Sequence, residues 1–197
     1  MFGQRTNAPA APAAPARSKY GGITCSDTRD PMLEEGTYRV RVTGAVEGYN
    51  PGKRRASYKV SLQVLEAADG SKTAKGSTVT MVCFETDAGL GDLKRFAVHA
   101  AGFGPALADR EAGVDVRAKL IEGERAFDAL DESFGRSGAI LEATFGVASP
   151  APSLVGRIVD VIVSLGKPVI NPQTSQPTGD HYRVYSWGVV PEAEQHA

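Results

Sequence analysis

Thr37-Tyr38-Arg39-Val40-Arg41-Val42-Thr43, followed by Arg55-Ala56-Ser57-Tyr58-Lys59-Val60-Ser61-Leu62-Gln63-Val64-Leu65, is the stretch on which the fold turns. In both halves large apolar residues alternate with polar ones. A period of two belongs to a strand with one buried and one wetted face. Tyr38, Val40 and Val42 point inward from the first strand, and Tyr58, Val60, Leu62 and Val64 from the second. The outward face then carries Arg39, Arg41 and Lys59 among Thr and Ser hydroxyls, and the connection adds Lys53, Arg54 and Arg55. Gly48, Asn50, Pro51 and Gly52 are turn formers, so Glu47 to Arg54 reads as a long hairpin loop. Loop cations are commonly just solvated surface, and edge strands use charge against aggregation. Three cations on one strand face point further, to a face that holds a polyanion.

Outward from this hairpin the pattern continues. Ala68-Asp69-Gly70-Ser71 breaks the chain, and Gly76 to Phe84 reads as a third strand. The period then changes: Leu90, Leu93, Phe96, Ala97 and Ala100 recur at helical spacing, predicting a helix from Asp87 or Gly89 to Ala101. Gly102, Gly104 and Pro105 end it. Pro105 to about Ser153 reads as an α/β insertion, in which Ala139 to Val147 suits a strand or a helix. Leu154 to Leu165 is the fourth strand, with Asp160 on its otherwise apolar second face suited to an arginine partner. Gly166 to Gly179 reads as a loop, and His181 to Val190 as the last strand, placing Arg183, Tyr185 and Trp187 together on its outer face. The order predicts a mainly β fold: a five-stranded OB-fold-like barrel with a helix between strands three and four.

The chain has 197 residues, enough for one good core, with 42% hydrophobic and 23% charged residues, as in ordinary globular proteins. Its net charge of -1 excludes a uniformly basic nucleic-acid binder. The distribution is polarised: Thr37 to Gln63 holds six cations against one acid, whereas Gly104 to Pro150 holds nine acids against five bases. Residues 1–31 form an Ala/Pro-rich arm, expected to be flexible; the domain spans 32–190, and 191–197 is a short tail. Cys25 and Cys83 lack metal spacing and suggest no secreted framework. No stretch has the length of a membrane span and no apolar leader is present, so a place inside a cell is expected.

Leu33-Glu34-Glu35-Gly36-Thr37-Tyr38, the basic hairpin, the helix Leu90 to Gly102, Leu154-Val155-Gly156-Arg157-Ile158-Val159-Asp160-Val161 and Tyr182 to Trp187 together resemble a family of bacteriophage single-stranded-DNA-binding proteins with OB-folds. The resemblance covers roughly Leu33 to Trp187, with the insertion poorly matched. It implies single-stranded DNA as the partner, a role in phage replication or recombination beside other proteins of those processes, a homo-oligomer as one option, and the cytoplasm of the infected host. Such proteins often end in a strongly acidic tail; this chain ends Pro191-Glu192-Ala193-Glu194-Gln195-His196-Ala197, only weakly acidic.

Single-strand binding requires cations for phosphates and exposed rings for bases. The candidates are Arg39, Arg41, Lys53, Arg54, Arg55, Lys59 and Arg183 for phosphate, and Tyr49, Tyr185 and Trp187 for stacking. Tyr38 and Tyr58 read as core, and His99 as a structural or exposed helix residue. No phosphate loop, framed nucleophilic serine, zinc cluster or paired acidic motif is present, so a non-enzyme without a cofactor is expected. The competing reading is a structural virion or assembly protein, a tail or capsid accessory built on a β-barrel and its arm.

Overall fold

The computed structural model describes residues 31–50, 54–171 and 173–195. The Ala/Pro-rich arm up to Asp30, Cys25, Lys53 and the last two residues lie outside them. The alternating hairpin forms as expected: β1 (Gly36–Asn50) and β2 (Arg55–Ala67) pair antiparallel from Tyr38 opposite Ala67 to Asn50 opposite Arg55. Both strands run further into the expected loop than its turn formers imply, with Asn50 opposite Arg55. β3 (Thr78–Phe84) pairs with β2. After the helices come β4 (Ile158–Ile170), which pairs with the first part of β1, and β5 (Pro177–Val189), which pairs with β4. The result is one antiparallel sheet in the order β3-β2-β1-β4-β5. The expected loop from Gly166 to Gly179 is mostly ladder, with Ile170 opposite Pro177.

The centre of the sheet's inner face is apolar. Tyr38, Val40, Val42, Val60, Leu62, Val64, Val79, Met81, Val159, Val161 and Val163 are all buried there. α1 (Asp87–Ala100) lies against it, with Leu93, Phe96, Ala97 and Ala100 buried. Thr86 caps this helix by accepting a hydrogen bond from Gly89 N (3.0 Å), and Gly102, at φ 90°, ends it.

The expected barrel is not closed. β3 and β5 are the two edges of the sheet and share no ladder. β3 has only seven residues, and other chain stands in the gap. α1 packs against both β3 and β5. The segment Pro31–Glu35 bridges the edges: Pro31 O accepts from Thr80 N on β3 (2.7 Å), and Leu33 O accepts from Arg183 Nε on β5 (2.8 Å). The Leu33 side chain is 1% exposed, inside the core.

The insertion is helical rather than α/β among the described residues, which makes the whole fold mixed α/β. It comprises α2 (Leu107–Glu111), α3 (Val116–Ser133) and α4 (Ala139–Thr144). Buried Asp131 at the end of α3 accepts from Gly138 N and from Ile140 N (2.8 Å), capping α4, so that Ala139 to Thr144 is helix. α3 comes in close because Gly123 has no side chain: a Cβ there would lie 2.0 Å from Phe103 O. Among the described residues no helix is long and apolar enough to cross a membrane.

Candidate nucleic-acid interface

The helices described lie on the inner face of the sheet, and the outer face of β1, β2 and β3 is the opposite one. The register sets out its rows. Arg41 stands opposite Gln63 and Gln63 opposite Thr78; Val46 opposite Lys59 and Lys59 opposite Val82; Gly48 opposite Ser57 and Ser57 opposite Phe84; Asn50 opposite Arg55. A β-bulge between Val42 and Gly44 keeps this alternation while bending β1. Arg41 and Lys59 are half-buried on this face, and Arg54 and Arg55 are exposed at the hairpin tip. The register therefore brings Arg41, Arg55 and Lys59 to one side of one sheet, with Arg54 in the turn beyond the ladder.

Arg39 shares that face and is held by two carboxylates. Its Nε donates to Asp160 Oδ1 (2.8 Å), its Nη2 to Asp160 Oδ2 (3.2 Å) and its Nη1 to Glu194 Oε2 (2.8 Å). Asp160 thus has the arginine partner its sequence position suggested. The hydrogen bond to Asp160, and then the charges of Asp160 and Glu194, push the guanidinium further up and hold it protonated. Two carboxylates around one cation leave the spot net negative, so Arg39 does not serve a phosphate in this arrangement. Glu194 arrives on a short 3-10 turn, Glu192–Glu194, seated by Gln195. Gln195 is buried; its side chain accepts from Ile158 N (2.9 Å) and donates to Ile158 O and Val190 O (3.0 Å each). Arg157 adds an ion pair to Glu192 (3.2 Å).

β5 corrects the expected aromatic platform. Trp187 stands opposite Val161 and Tyr185 opposite Val163, both inward residues. Arg183, Tyr185 and Trp187 therefore share the inner face, and Tyr182, Val184 and Ser186 face out. Trp187 is 2% exposed, meets Phe96 edge-on (5.1 Å between centroids) and stacks on Tyr185 (5.5 Å). A ring packed on both sides offers no surface to a base. Burial pushes the Tyr185 hydroxyl up to about 12, and its oxygen is buried with no hydrogen-bond partner among the described residues. The Arg183 guanidinium is spent on Leu33 O. Both faces of β5 are rich in apolar residues, so its pattern alone does not say which is inside. The Phe96 contact from α1 decides it.

Tyr49 is 65% exposed, but its partner Ala56 places it on the opposite side of the hairpin from Lys59. Tyr58 is half-buried edge-on against Phe145 (5.4 Å), and its hydroxyl is pushed up by burial and then by Glu47 and Glu85. Phe84, which no motif singles out, lies on the outer face opposite Ser57. A signal for it is present in the sequence: with Val79, Met81 and Cys83 inward, a period of two turns Thr80, Val82 and Phe84 outward. Cys83 is a free, buried thiol, pushed up to about 12 by desolvation. No group of three His, Cys, Asp or Glu side chains suited to a metal occurs among the described residues. A scan of the chain against protein-family models finds no match, and neither does a comparison with curated proteins.

Proposed function

We propose that this protein binds single-stranded DNA, without strong sequence preference, on the outer face of β1–β3. One observation carries the reading: the sheet has one apolar face packed against helices and an opposite face on which the register gathers Arg41, Lys59 and Arg55, with Arg54 next to them in the turn. Cations on a strand lattice match a phosphate backbone, whose counterions they release. The order β3-β2-β1-β4-β5 is that of an OB barrel cut between its third and fifth strands, and OB-folds commonly bind oligonucleotides on such a face. The sequence resemblance supplies the setting of phage replication or recombination in the infected host.

The test is anisotropy of labelled oligo-dT titrated at several salt concentrations. Saturable binding that weakens steeply with salt is expected. Arg41→Ala and Lys59→Ala are each expected to flatten the log–log salt slope by about 0.7, the value for one phosphate left unneutralised on a single strand. Trp187 fluorescence is expected to change little, because the indole is buried. Absence of binding at low salt to single strands, duplex and RNA alike overturns the reading. A second reading, an assembly protein, is favoured by the β4–β5 hairpin, where Leu165, Ile170, Val184 and Tyr182 are exposed, Tyr182 by 62%. Sedimentation showing stable multimers without DNA affinity would bring it forward.

A further inference from the structure

We propose that Tyr182 on β5 stacks a base of the bound strand and that Lys167, across from it on β4, takes the neighbouring phosphate, an assignment that rests on the single-strand reading above. The β4–β5 register supplies the argument. Leu165 stands opposite Arg183 and Pro168 opposite His181, so two residues of β4, Gly166 and Lys167, face one of β5, Tyr182. That two-against-one count is a β-bulge. Partners across a ladder share a face, and neighbours along a strand alternate. Arg183 is inward, which makes Leu165, His181 and Pro168 inward too. Gly166 and Lys167, between the two inward residues of β4, therefore both turn outward with Tyr182. The glycine keeps the bulge tight: a Cβ on Gly166 would crowd Val184 Cγ2 (3.1 Å) and Tyr182 O (3.2 Å). A bulge re-aims side chains, and this one sets a lysine beside an aromatic ring.

The pair is open to a ligand. Tyr182 is 62% exposed, and Lys167 is exposed as well. Among the described residues neither side chain is held by a hydrogen bond or an ion pair. Val184 and Ile162, also outward and exposed, extend the ring into an apolar strip. A bare ring with an ammonium group at its side matches the two halves of an unpaired nucleotide, the π-face of the base and the charge of the phosphate. The strip belongs to the same outer face of the sheet as Arg41 and Lys59, so a strand bound there can continue onto β4 and β5. Trp187 and Tyr185 are packed inward, and Tyr49 is on the other side of its hairpin.

The experiment compares oligo-dT with an abasic deoxyribose-phosphate chain of the same length, at two salt concentrations. Wild type is expected to prefer oligo-dT. Tyr182→Ala is expected to lose roughly 10-fold in affinity for oligo-dT and little for the abasic chain, with its salt slope unchanged. Lys167→Ala is expected to flatten the log–log salt slope by about 0.7 on both chains. Tyr182→Trp is the third variant. It is expected to keep the preference and to report the contact directly: with Trp187 buried, the new indole is quenched by oligo-dT and not by the abasic chain. All three positions of change are exposed, so the variants are expected to melt with wild type. The assignment is overturned if Tyr182→Ala keeps the wild-type preference, if it weakens both chains equally, or if the new indole is not quenched. It is also overturned if wild type sediments as a multimer that Tyr182→Ala dissolves, since the strip is then a contact between copies. In each of these cases wild type still binds oligo-dT, and the single-strand reading survives. If wild type binds neither chain, the single-strand reading itself fails and this assignment with it.

Discussion

His99 faces the core from the last turn of α1, its ring pressed against Gly104. A Cβ at residue 104 would lie 2.3 Å from His99 Cδ2, so only glycine fits the approach. Nδ1 is 2.7 Å from Arg95 O, which makes it the protonated nitrogen of the neutral ring, donating to that carbonyl. Burial lowers the pKa below the ordinary 6.5, and the charges of Arg110 and Arg95 act in the same direction; the bond to Arg95 O opposes them. Above about pH 6.5 the ring is neutral in both folded and unfolded chains, and the stability is fully present. Between that value and the lower folded pKa only the unfolded chain takes up the proton, so stability falls as pH falls. Urea midpoints from pH 8 to 5 are expected to drop in wild type below about 6.5 and to stay flatter in His99→Gln. Parallel curves for the two proteins would remove His99 from the account. Trp187 marks the limit of reading at this scale. Tyr185 and Trp187 are set two apart, as are Tyr182 and Val184, and either pair suits the inside. The choice is made by Phe96, a residue distant in sequence that no local pattern brings near. Trp187→Ala is therefore expected to cost about 3–5 kcal/mol of stability, as for a large core residue, read as a shift in the urea midpoint at unchanged m. A ligand-platform residue would cost far less.

The elements are most legible where one period runs uninterrupted. β1, β2 and α1 fall where the alternation of Tyr38 to Val42 and the spacing of Leu93, Phe96 and Ala100 put them. β4 and β5 come out too short from the sequence because Pro168, Pro172 and Pro177 signal a loop. Prolines are tolerated on a hairpin that extends past the rest of the sheet, where edge positions need no donor. The C-terminal turn looks like no more than a tail. Pro191 to Gln195 has no period, and its buried anchor is the Gln195 carboxamide bonded to Ile158, 37 residues earlier. That anchor gives two contrasting expectations. Gln195→Ala strands Ile158 N–H and C=O in a buried setting and is expected to cost about 1–3 kcal/mol. Glu194→Gln removes only a half-exposed partner from Arg39, which keeps Asp160, and is expected to cost under about 1 kcal/mol. Equilibrium denaturation of the two variants distinguishes them. A larger loss in Glu194→Gln would mean that charge, not the carboxamide, seats the turn. The same comparison bears on the interface. Relieved of one carboxylate, Arg39 adds to the positive potential of the face, so Glu194→Gln is also expected to bind oligo-dT more tightly at low salt.

At the scale of the molecule, the order of elements foretells the neighbours of each strand but not the open seam between β3 and β5. Strand order carries no information on whether the two edges meet. That depends on side-chain volume in the gap, and here Leu33 and α1 fill it. The seam is thus held by α1, the buried Leu33 and, among the described residues, hydrogen bonds from Thr80 N to Pro31 O and from Arg183 Nε to Leu33 O, whereas the centre of the sheet is held by ladders on both sides of β1. Unequal tethering makes unequal local stability. Leu33→Ala empties a fully buried site and is expected to destabilise the fold by about 2–5 kcal/mol. Its effect is expected to be uneven. In hydrogen exchange under native conditions, the amides of Thr80 and of the β5 residues beside Arg183 lose protection by local opening, while Val40, Val42 and Val60 in the central ladders exchange only at the new global rate. The outer face of β1 and β2 stays intact through such an opening, so oligo-dT affinity is expected to fall little in the variant at temperatures where it is folded. If instead exchange accelerates by one common factor across β1 to β5, the seam opens only with the whole sheet. The segment Pro31–Glu35 would then be part of a single cooperative unit rather than a separable closure.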